Sequence, residues 1–349
     1  MIKLMKIFHD NTVNILSTAL DFKGQGVGSA TEDTIHLIKN FLPYEVRMNS
    51  KEPCAIIHAH TPNVGFLFNI LKNRKKSGIV ISAHIIPDSL KESLILAPLW
   101  VRGFQIYLVE FYNLADRIIA VSPEVKKELK RLGVKPRIEV VPNFVSSSIF
   151  YPGTLEKKMK LREKYSIGKD EFVAIGVGQV QPRKGIKEFV ETAKFLPDVK
   201  FLWIGNMPFG TATQGYRKMK DIMRKHPSNV MFLNYIPREK LRELYVLSDL
   251  FFFPSHQETF GLVIIEAAMC GLPLLLKDLT VYRDIFHDAY LKGTTPQEYA
   301  EVIEKFKRDK EDLMSYRKKA VDLAKNYDER NVAKHLFEVY KKVREEKGV

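Results

Sequence analysis

The segment LFFFPSHQETFGLVIIEAAMCGLPLLL, residues 250–276, decides the fold class of this chain. Two apolar runs, 250–253 and 272–276, have the length and composition of buried parallel strands, and an apolar helical pattern lies between them. A strand, a helix and a second strand in this order form the repeating unit of α/β folds with parallel sheets. The segment therefore predicts an α/β domain.

One helix in this segment carries an acid at an apolar position. Glu266 is the single charged residue between Leu262 and Gly271. A carboxylate in an apolar setting is costly, and it requires either a partner or a raised pKa. A second acid, Glu258, lies eight positions earlier, in the turn that opens the helix. We expect both acids to face a ligand at the helix N-terminus.

Strand and helix patterns alternate along the rest of the chain. Strands are predicted at 4–8, 55–58, 78–82, 117–121 and 138–141, then at 172–177, 199–204, 230–233, 250–253 and 272–276; helices are predicted at 31–41, 123–132, 186–196 and 238–247. The alternation runs twice, and 349 residues exceed the roughly 250–300 that one core sustains. We therefore predict two doubly wound α/β domains, 1–150 and 151–327, followed by a C-terminal helix, 328–349.

The composition narrows the class of protein. Hydrophobic residues make up 45% and charged residues 28%, which is typical of a globular chain. No apolar run is long enough to span a bilayer, and the N-terminus lacks a signal-peptide pattern, so we expect a cytoplasmic protein. Cys54 and Cys270 are predicted to be buried, reduced thiols. The net charge of +14 indicates an anionic partner, which can be nucleic acid, a membrane surface or a phosphorylated ligand.

A glycine-containing loop with two cations follows the strand predicted at 172–177. The sequence GQVQPRKG begins at Gly178 and contains Arg183 and Lys184, and a helix follows it. Glycines allow close backbone approach, helix N-termini attract anions, and the cations neutralise negative charge. The pattern indicates a phosphate-binding loop, although a solvated basic turn is the alternative.

Together these motifs resemble the retaining, family-4-type glycosyltransferases, which are marked by two glutamates separated by seven residues. The matching pattern is Pro254-Ser255-x-x-Glu258-x-Phe260-Gly261, followed by Glu266. The loop around Arg183 resembles their diphosphate-binding loop. The segment 230–237 resembles the strand and turn of their nucleotide-base pocket, and 142–145 resembles the turn that closes their N-terminal domain.

The resemblance implies the GT-B fold: two Rossmann-like domains, a cleft between them, and a last helix that crosses back to the N-terminal domain. It also implies roles for individual residues. Glu266 would accept hydrogen bonds from ribose hydroxyls, Glu258 would hold the sugar ring, and Arg183 and Lys184 would stabilise the leaving diphosphate. The backbone amides of Phe260 and Gly261 would lie near the sugar and diphosphate, with Gly178 in the diphosphate loop and Ile236 at the base.

The N-terminal half adds further candidates. By resemblance, His84 is the strand-end histidine close to the donor sugar, and a structurally satisfied histidine is the alternative. For His58 and His60 we favour the structural role, because no acid or cysteine lies nearby at metal-ligand spacing. Gly26 lies in a glycine-containing loop, 24–29, which we interpret as closing over the cleft near diphosphate and acceptor; a plain glycine turn is the alternative. No Asp-x-Asp triplet occurs in the chain, so we expect neither a metal nor a cofactor beyond the donor.

Two departures from the general pattern point to a subgroup. Thr259 replaces a common glycine, and 277–283 replaces the usual Gly-Gly-x-x-Glu. The segments 24–30, 142–146, 177–185 and 278–282 together resemble the Gram-positive glycolipid glycosyltransferases. Those enzymes add a second hexose, often galactose, to glucosyl-diacylglycerol. The resemblance implies transfer of galactose or glucose from a UDP-sugar to that glycolipid, with an α-linkage. A polysaccharide or soluble sugar acceptor is the alternative.

A glycolipid acceptor requires contact with a membrane. The segment Ser89–Asn113 contains aromatic and aliphatic residues suited to a lipid interface, and the basic clusters 72–76 and 126–131 would attract anionic headgroups. We expect a peripheral enzyme on the inner face of the cell membrane, with an ordinary core helix as the alternative for 89–113. A nucleic-acid-binding protein lacks a motif here, and the intact glutamates argue against a non-catalytic partner subunit.

Overall fold

The computed structural model describes residues 11–21, 26–84, 97–207 and 215–348. These residues divide into two units. The first unit lies within Met1–Ile86, Arg102–Pro142 and Arg330–Val349, and the second lies within Pro87–Val101 and Asn143–Glu329. Among the helices described, none has the length and hydropathy that a membrane-spanning helix requires.

Strands and helices alternate along the described chain. The strands are β1 (Thr12–Leu16), β2 (Glu45–Met48), β3 (Ile56–Ala59), β4 (Gly78–Ala83), β5 (Arg117–Ala120), β6 (Arg137–Val140), β7 (Phe172–Val177), β8 (Val199–Ile204), β9 (Val230–Leu233), β10 (Leu250–Phe253), β11 (Leu274–Lys277) and β12 (Leu291–Gly293). The helices are α1 (Gly26–Phe41), α2 (Val64–Asn73), α3 (Ala97–Tyr112), α4 (Pro123–Arg131), α5 (Leu155–Lys164), α6 (Ile186–Phe195), α7 (Tyr216–Arg224), α8 (Arg238–Leu247), α9 (Leu262–Met269), α10 (Thr280–Phe286), α11 (Pro296–Arg308), α12 (Lys310–Ala324) and α13 (Glu329–Lys347).

Each unit contains one six-stranded sheet, and all pairings between the described strands are parallel. The strand order is β2-β1-β3-β4-β5-β6 in the first unit and β12-β11-β10-β7-β8-β9 in the second. In both sheets the order reverses direction between two internal neighbouring strands, β1 and β3 in the first and β7 and β10 in the second. Open parallel sheets bind ligands outside the carboxyl ends of their strands at such switch points. The predicted α/β class with two doubly wound sheets is confirmed.

Several predicted elements need correction. Strands β7 to β10 have the predicted bounds, but β1, β2 and β12 were not predicted, and the strand predicted at 4–8 lies outside the described residues. Helix α1 begins at Gly26 and not near residue 31, so Gly26 and Gly28 belong to its first turns. Gly26 follows the last residue of β1 by ten positions.

Helix α13 packs on the sheet of the first unit, as expected for the last helix. The Tyr340 ring packs edge-on against Tyr44, with ring centroids 5.6 Å apart. At the start of β4, a Cβ added to Gly78 would lie 2.3 Å from the Val343 side chain, so only glycine permits this close approach. Arg117 of β5 forms an ion pair with Glu346 of α13, which also joins the helix to the sheet. The two cysteines are free and buried, as predicted.

Candidate active site

The switch point of the second sheet brings two loops together. The loop after β7 carries Arg183 and Lys184, and the loop after β10 carries Ser255 and Glu258; the two strands are hydrogen-bonded neighbours. Ser255 Oγ donates to the Arg183 carbonyl oxygen at 3.2 Å. The parallel sheet therefore brings together residues 74 positions apart in sequence, at the carboxyl ends of two neighbouring strands.

Gly185 makes the close approach of these loops possible. It has a φ of +75°, and a Cβ at this position would lie 2.1 Å from the Pro254 carbonyl oxygen. An L-residue other than glycine is strained at such a φ, and the added atom has no room. Gly185 both ends the turn that holds Arg183 and Lys184 and directly precedes α6.

Lys184 and Glu258 form an ion pair at this edge. Both side chains are almost buried, and the Lys184 ammonium also lies 5.5 Å from the centre of the Phe253 ring. Burial is the main cause that lowers the Lys184 pKa to about 8; the neighbouring Arg183 lowers it further, and Glu258 opposes both. Burial therefore disfavours the charged form of Lys184, and the adjacent Glu258 carboxylate stabilises it.

Arg183 supplies a second positive charge in the same turn. Its Nε donates to Gln181 Oε1 at 3.0 Å, and its side chain is half-buried. Gly178 directly follows β7; its amide donates to the Ile204 carbonyl oxygen at 2.9 Å, and its carbonyl accepts from Trp203 Nε1 at 3.0 Å. These bonds fix the start of the loop, and the two cations follow at its far end.

Glu266 lies in the middle of α9 and is 5% exposed. Its carboxylate accepts a hydrogen bond from the Tyr245 hydroxyl at 3.3 Å and pairs with Arg238 Nη2 at 3.2 Å. Burial raises the Glu266 pKa, while Arg238 and Tyr245 act in the opposite direction. The predicted need for a partner is thus met, and the carboxylate retains lone pairs for a ligand.

Arg238 is the residue of this site that the sequence analysis missed. It is the first residue of α8, directly after Pro237, and its guanidinium also lies over the Phe150 ring at 5.4 Å. A surface helix normally carries charged residues in its first turn, so the sequence gives no signal that this arginine reaches a buried glutamate. The contact depends on the packing of α8 beside α9.

Three further candidates flank these groups. The Phe260 ring is buried and packs edge-on against Tyr327 at 5.5 Å, which leaves only its backbone for a ligand. Gly261 has a φ of +88° and caps the N-terminus of α9. Ile236 is half-buried in the turn between β9 and α8.

The remaining two candidates belong to the first unit. His84 follows the end of β4, and its Nε2 lies 3.0 Å from His60 Nδ1. Gly26 opens α1. Within the described parts of the chain, no group of three or more histidine, cysteine, aspartate or glutamate residues is arranged to hold a metal ion.

Both halves of the chain match known family models. Residues 157–326 match the family model described as glycosyl transferases group 1, and residues 33–148 match glycosyltransferase family 4. An alpha-galactosylglucosyldiacylglycerol synthase of Streptococcus pneumoniae is 30% identical over 334 residues, which cover 95% of this chain and 89% of that protein. The chain belongs to the family-4-type glycosyltransferases.

Two further similarities describe this glycosyltransferase. A processive diacylglycerol alpha-glucosyltransferase of Acholeplasma laidlawii is 28% identical over 264 residues, covering 75% of this chain and 77% of that protein. The structure of Anabaena HepE in complex with UDP and glucose superimposes with a TM-score of 0.76 at 18% identity, covering 95% of this chain and 100% of that one. The predicted GT-B fold and the resemblance to glycolipid synthases are both confirmed.

Proposed function

We propose that this glycosyltransferase moves a hexose, galactose or glucose, from a UDP-sugar to glucosyl-diacylglycerol with retention of configuration, giving an α-linked diglycosyl lipid. The similarity to the pneumococcal synthase over 95% of the chain carries the choice of acceptor. Two observations support a nucleotide-sugar donor. Arg183 and Lys184 are adjacent cations at the switch point of the second sheet, and the structurally similar HepE binds UDP and glucose.

The proposed chemistry uses the groups at the carboxyl edge of the second sheet. Departure of UDP develops negative charge on the diphosphate, and Arg183 and Lys184 would stabilise it. Glu258 would then release Lys184 and accept hydrogen bonds from the sugar ring, while Glu266, held by Arg238, would accept from the ribose hydroxyls. His84 would contact the donor sugar from the first unit, with Gly26 near diphosphate and acceptor. We propose that no metal ion takes part.

The glycolipid acceptor implies contact with a membrane surface, and α2 offers a suitable face. Val64, Phe68 and Leu71 are spaced four and three residues apart, so they share one side of the helix, and all three are exposed, Phe68 by 67%. Four exposed cations lie in its last turn and directly after it: Lys72, Arg74, Lys75 and Lys76. The apolar side chains would enter the lipid interface, and the basic cluster beside them would be attracted to anionic headgroups.

The segment Ser89–Asn113, which we expected to make this contact, is described only in part. Residues 85–96 lie outside the described chain, and Trp100 is among the residues whose side chains are not described. In the remainder of α3, Leu108, Phe111 and Tyr112 are buried, while Ile106 is exposed. We therefore propose α2 as the main lipid-facing helix, on the inner face of the cell membrane.

Two experiments test the proposal. Purified protein is incubated with labelled UDP-glucose, UDP-galactose and other nucleotide sugars, and with diacylglycerol, glucosyl-diacylglycerol or soluble glucosides as acceptors. We expect a diglycosyl lipid whose anomeric configuration, read by NMR, is α. Efficient transfer to soluble acceptors and none to the glycolipid would overturn the acceptor assignment.

The second experiment is co-sedimentation with anionic and neutral vesicles. We expect Val64→Ser/Phe68→Ser/Leu71→Ser to lose binding to anionic vesicles. The matched control, Ile106→Ser on α3, should bind like the unmodified chain. If the unmodified chain ignores anionic vesicles at low salt, the membrane proposal fails.

A further inference from the structure

Three histidines of the first unit lie side by side at the carboxyl end of β3 and β4. The rings of His58 and His60 are 4.4 Å apart between centroids, and those of His60 and His84 are 5.1 Å apart and nearly parallel. His58 and His60 are each 1% exposed. The glycosyltransferase role proposed above uses only His84, so the other two require an explanation.

His58 has a complete structural role. Its Nδ1 lies 2.7 Å from the Tyr340 hydroxyl on α13, and its Nε2 lies 2.8 Å from Ser82 Oγ on β4. Both partners are hydroxyl groups that can donate or accept, so either tautomer of the ring is satisfied. His58 thus joins the C-terminal helix to the sheet, and its ring nitrogens are both occupied.

His60 is different, because only one of its ring nitrogens is used. Its Nδ1 lies 3.0 Å from His84 Nε2, while its Nε2 is buried with no hydrogen-bond partner in the described structure. Burial lowers the pKa of His60 well below its usual value and that of His84 to about 4, so both rings are neutral near pH 7. A bond between two neutral imidazoles requires one N–H donor and one bare acceptor.

The unpartnered Nε2 of His60 determines which of the two rings donates the hydrogen bond and which accepts it. A buried N–H group without an acceptor is rarer in folded proteins than an acceptor with an unused lone pair. The proton of His60 therefore belongs on Nδ1, which donates to His84 Nε2. With Nε2 accepting, the proton of His84 lies on Nδ1, the ring nitrogen that His60 leaves available.

We propose that His60 is a positioning residue that holds His84 as the Nδ1–H tautomer, so that His84 offers a hydrogen-bond donor to an oxygen of the bound sugar. The part of this inference that concerns the sugar rests on the proposed function. The part that concerns the tautomer rests on the geometry of His60 and His84 alone. The two parts are tested separately.

The tautomer is tested by NMR of the full chain labelled with ¹⁵N at histidine. The nine histidine signals are assigned with His60→Asn, His84→Asn and other single variants. We expect a protonated Nδ1 and a bare Nε2 on His84. In His60→Asn the side-chain amide takes the place of Nδ1–H and the His84 tautomer persists, whereas in His60→Leu it becomes a mixture. A proton on His84 Nε2 in the unmodified chain overturns the proposal.

Kinetics separate positioning from a structural role. We expect kcat for transfer to fall about tenfold in His60→Leu, the value of one lost hydrogen bond, with UDP affinity unchanged and partial recovery in His60→Asn. Tyr340→Phe, which removes a partner of neighbouring His58, should lower Tm and leave kcat within about twofold. Equal kcat in His60→Leu and the unmodified chain overturns positioning. If the NMR result holds while no glycolipid product forms, the proposed function fails and the tautomer assignment stands.

Discussion

Binding of UDP near pH 8 should draw a proton onto Lys184. The residue is 9% exposed, and burial and Arg183 together lower its pKa from 10.5 to about 8 against the opposing effect of Glu258. The change corresponds to about 3 kcal/mol of cost for the charged form. A diphosphate placed beside Lys184 supplies negative charge that offsets this cost, and so raises the pKa again.

The expected magnitude follows from the pKa. At pH 8 about half of the free protein carries a neutral Lys184, so binding should take up about half a proton. Above that pH the affinity for UDP should fall by up to about tenfold per pH unit.

The lowered pKa of Lys184 also affects folding stability. Without ligand, the unfolded chain binds more protons than the folded chain between about pH 8 and 10.5. The contribution of Lys184 to the free energy of unfolding therefore rises as pH rises through that window.

The assay is titration calorimetry at pH 8 in buffers of different ionisation enthalpy, since the buffer dependence of the heat reports proton uptake. Phosphate groups titrate near pH 6 and add little signal here. Lys184→Met should abolish the uptake and weaken binding. Lys194→Met, which removes an exposed lysine paired with Glu191, is the matched control and should behave like the unmodified chain. Measurable UDP binding with no proton uptake, or equal uptake in Lys184→Met, would refute the reasoning.

Four further predictions follow from the site. Glu266→Gln should weaken UDP binding by about tenfold to a hundredfold, because a charged acceptor for the ribose is lost; calorimetry that shows unchanged affinity in a folded variant would contradict the role. Arg183→Ala should lower kcat and kcat/KM together while Tm changes little, and activity within about twofold of the unmodified chain would rule out transition-state stabilisation. His84→Ala should reduce transfer with UDP affinity intact, and an affinity loss equal to that of Glu266→Gln would show that His84 is misplaced. Activity should persist in EDTA, and strict dependence on a divalent ion would overturn the metal-free proposal.

The elements with the clearest sequence signal are the buried strands of the second sheet. Phe172–Val177 and Leu250–Phe253 were predicted to the residue because buried parallel strands are apolar on both faces. Three other strands were not predicted, because their sequences are not continuously apolar. β1 contains Thr12 and Asn14, whereas β2 and β12 lie at sheet edges and retain exposed or half-exposed residues, so none forms an apolar run.

The sequence by itself determined the α/β class, the identity of the family and the residue types that its chemistry requires, because these depend on local periodicity and on motif spacing. Only the tertiary structure decided the partners. Lys184 meets Glu258 because β7 and β10 are neighbours in the sheet, and Arg238 meets Glu266 because α8 packs beside α9. The bond between His60 and His84 likewise depends on the pairing of β3 with β4. Contacts between residues far apart in sequence follow from strand order and helix packing, which no local pattern encodes.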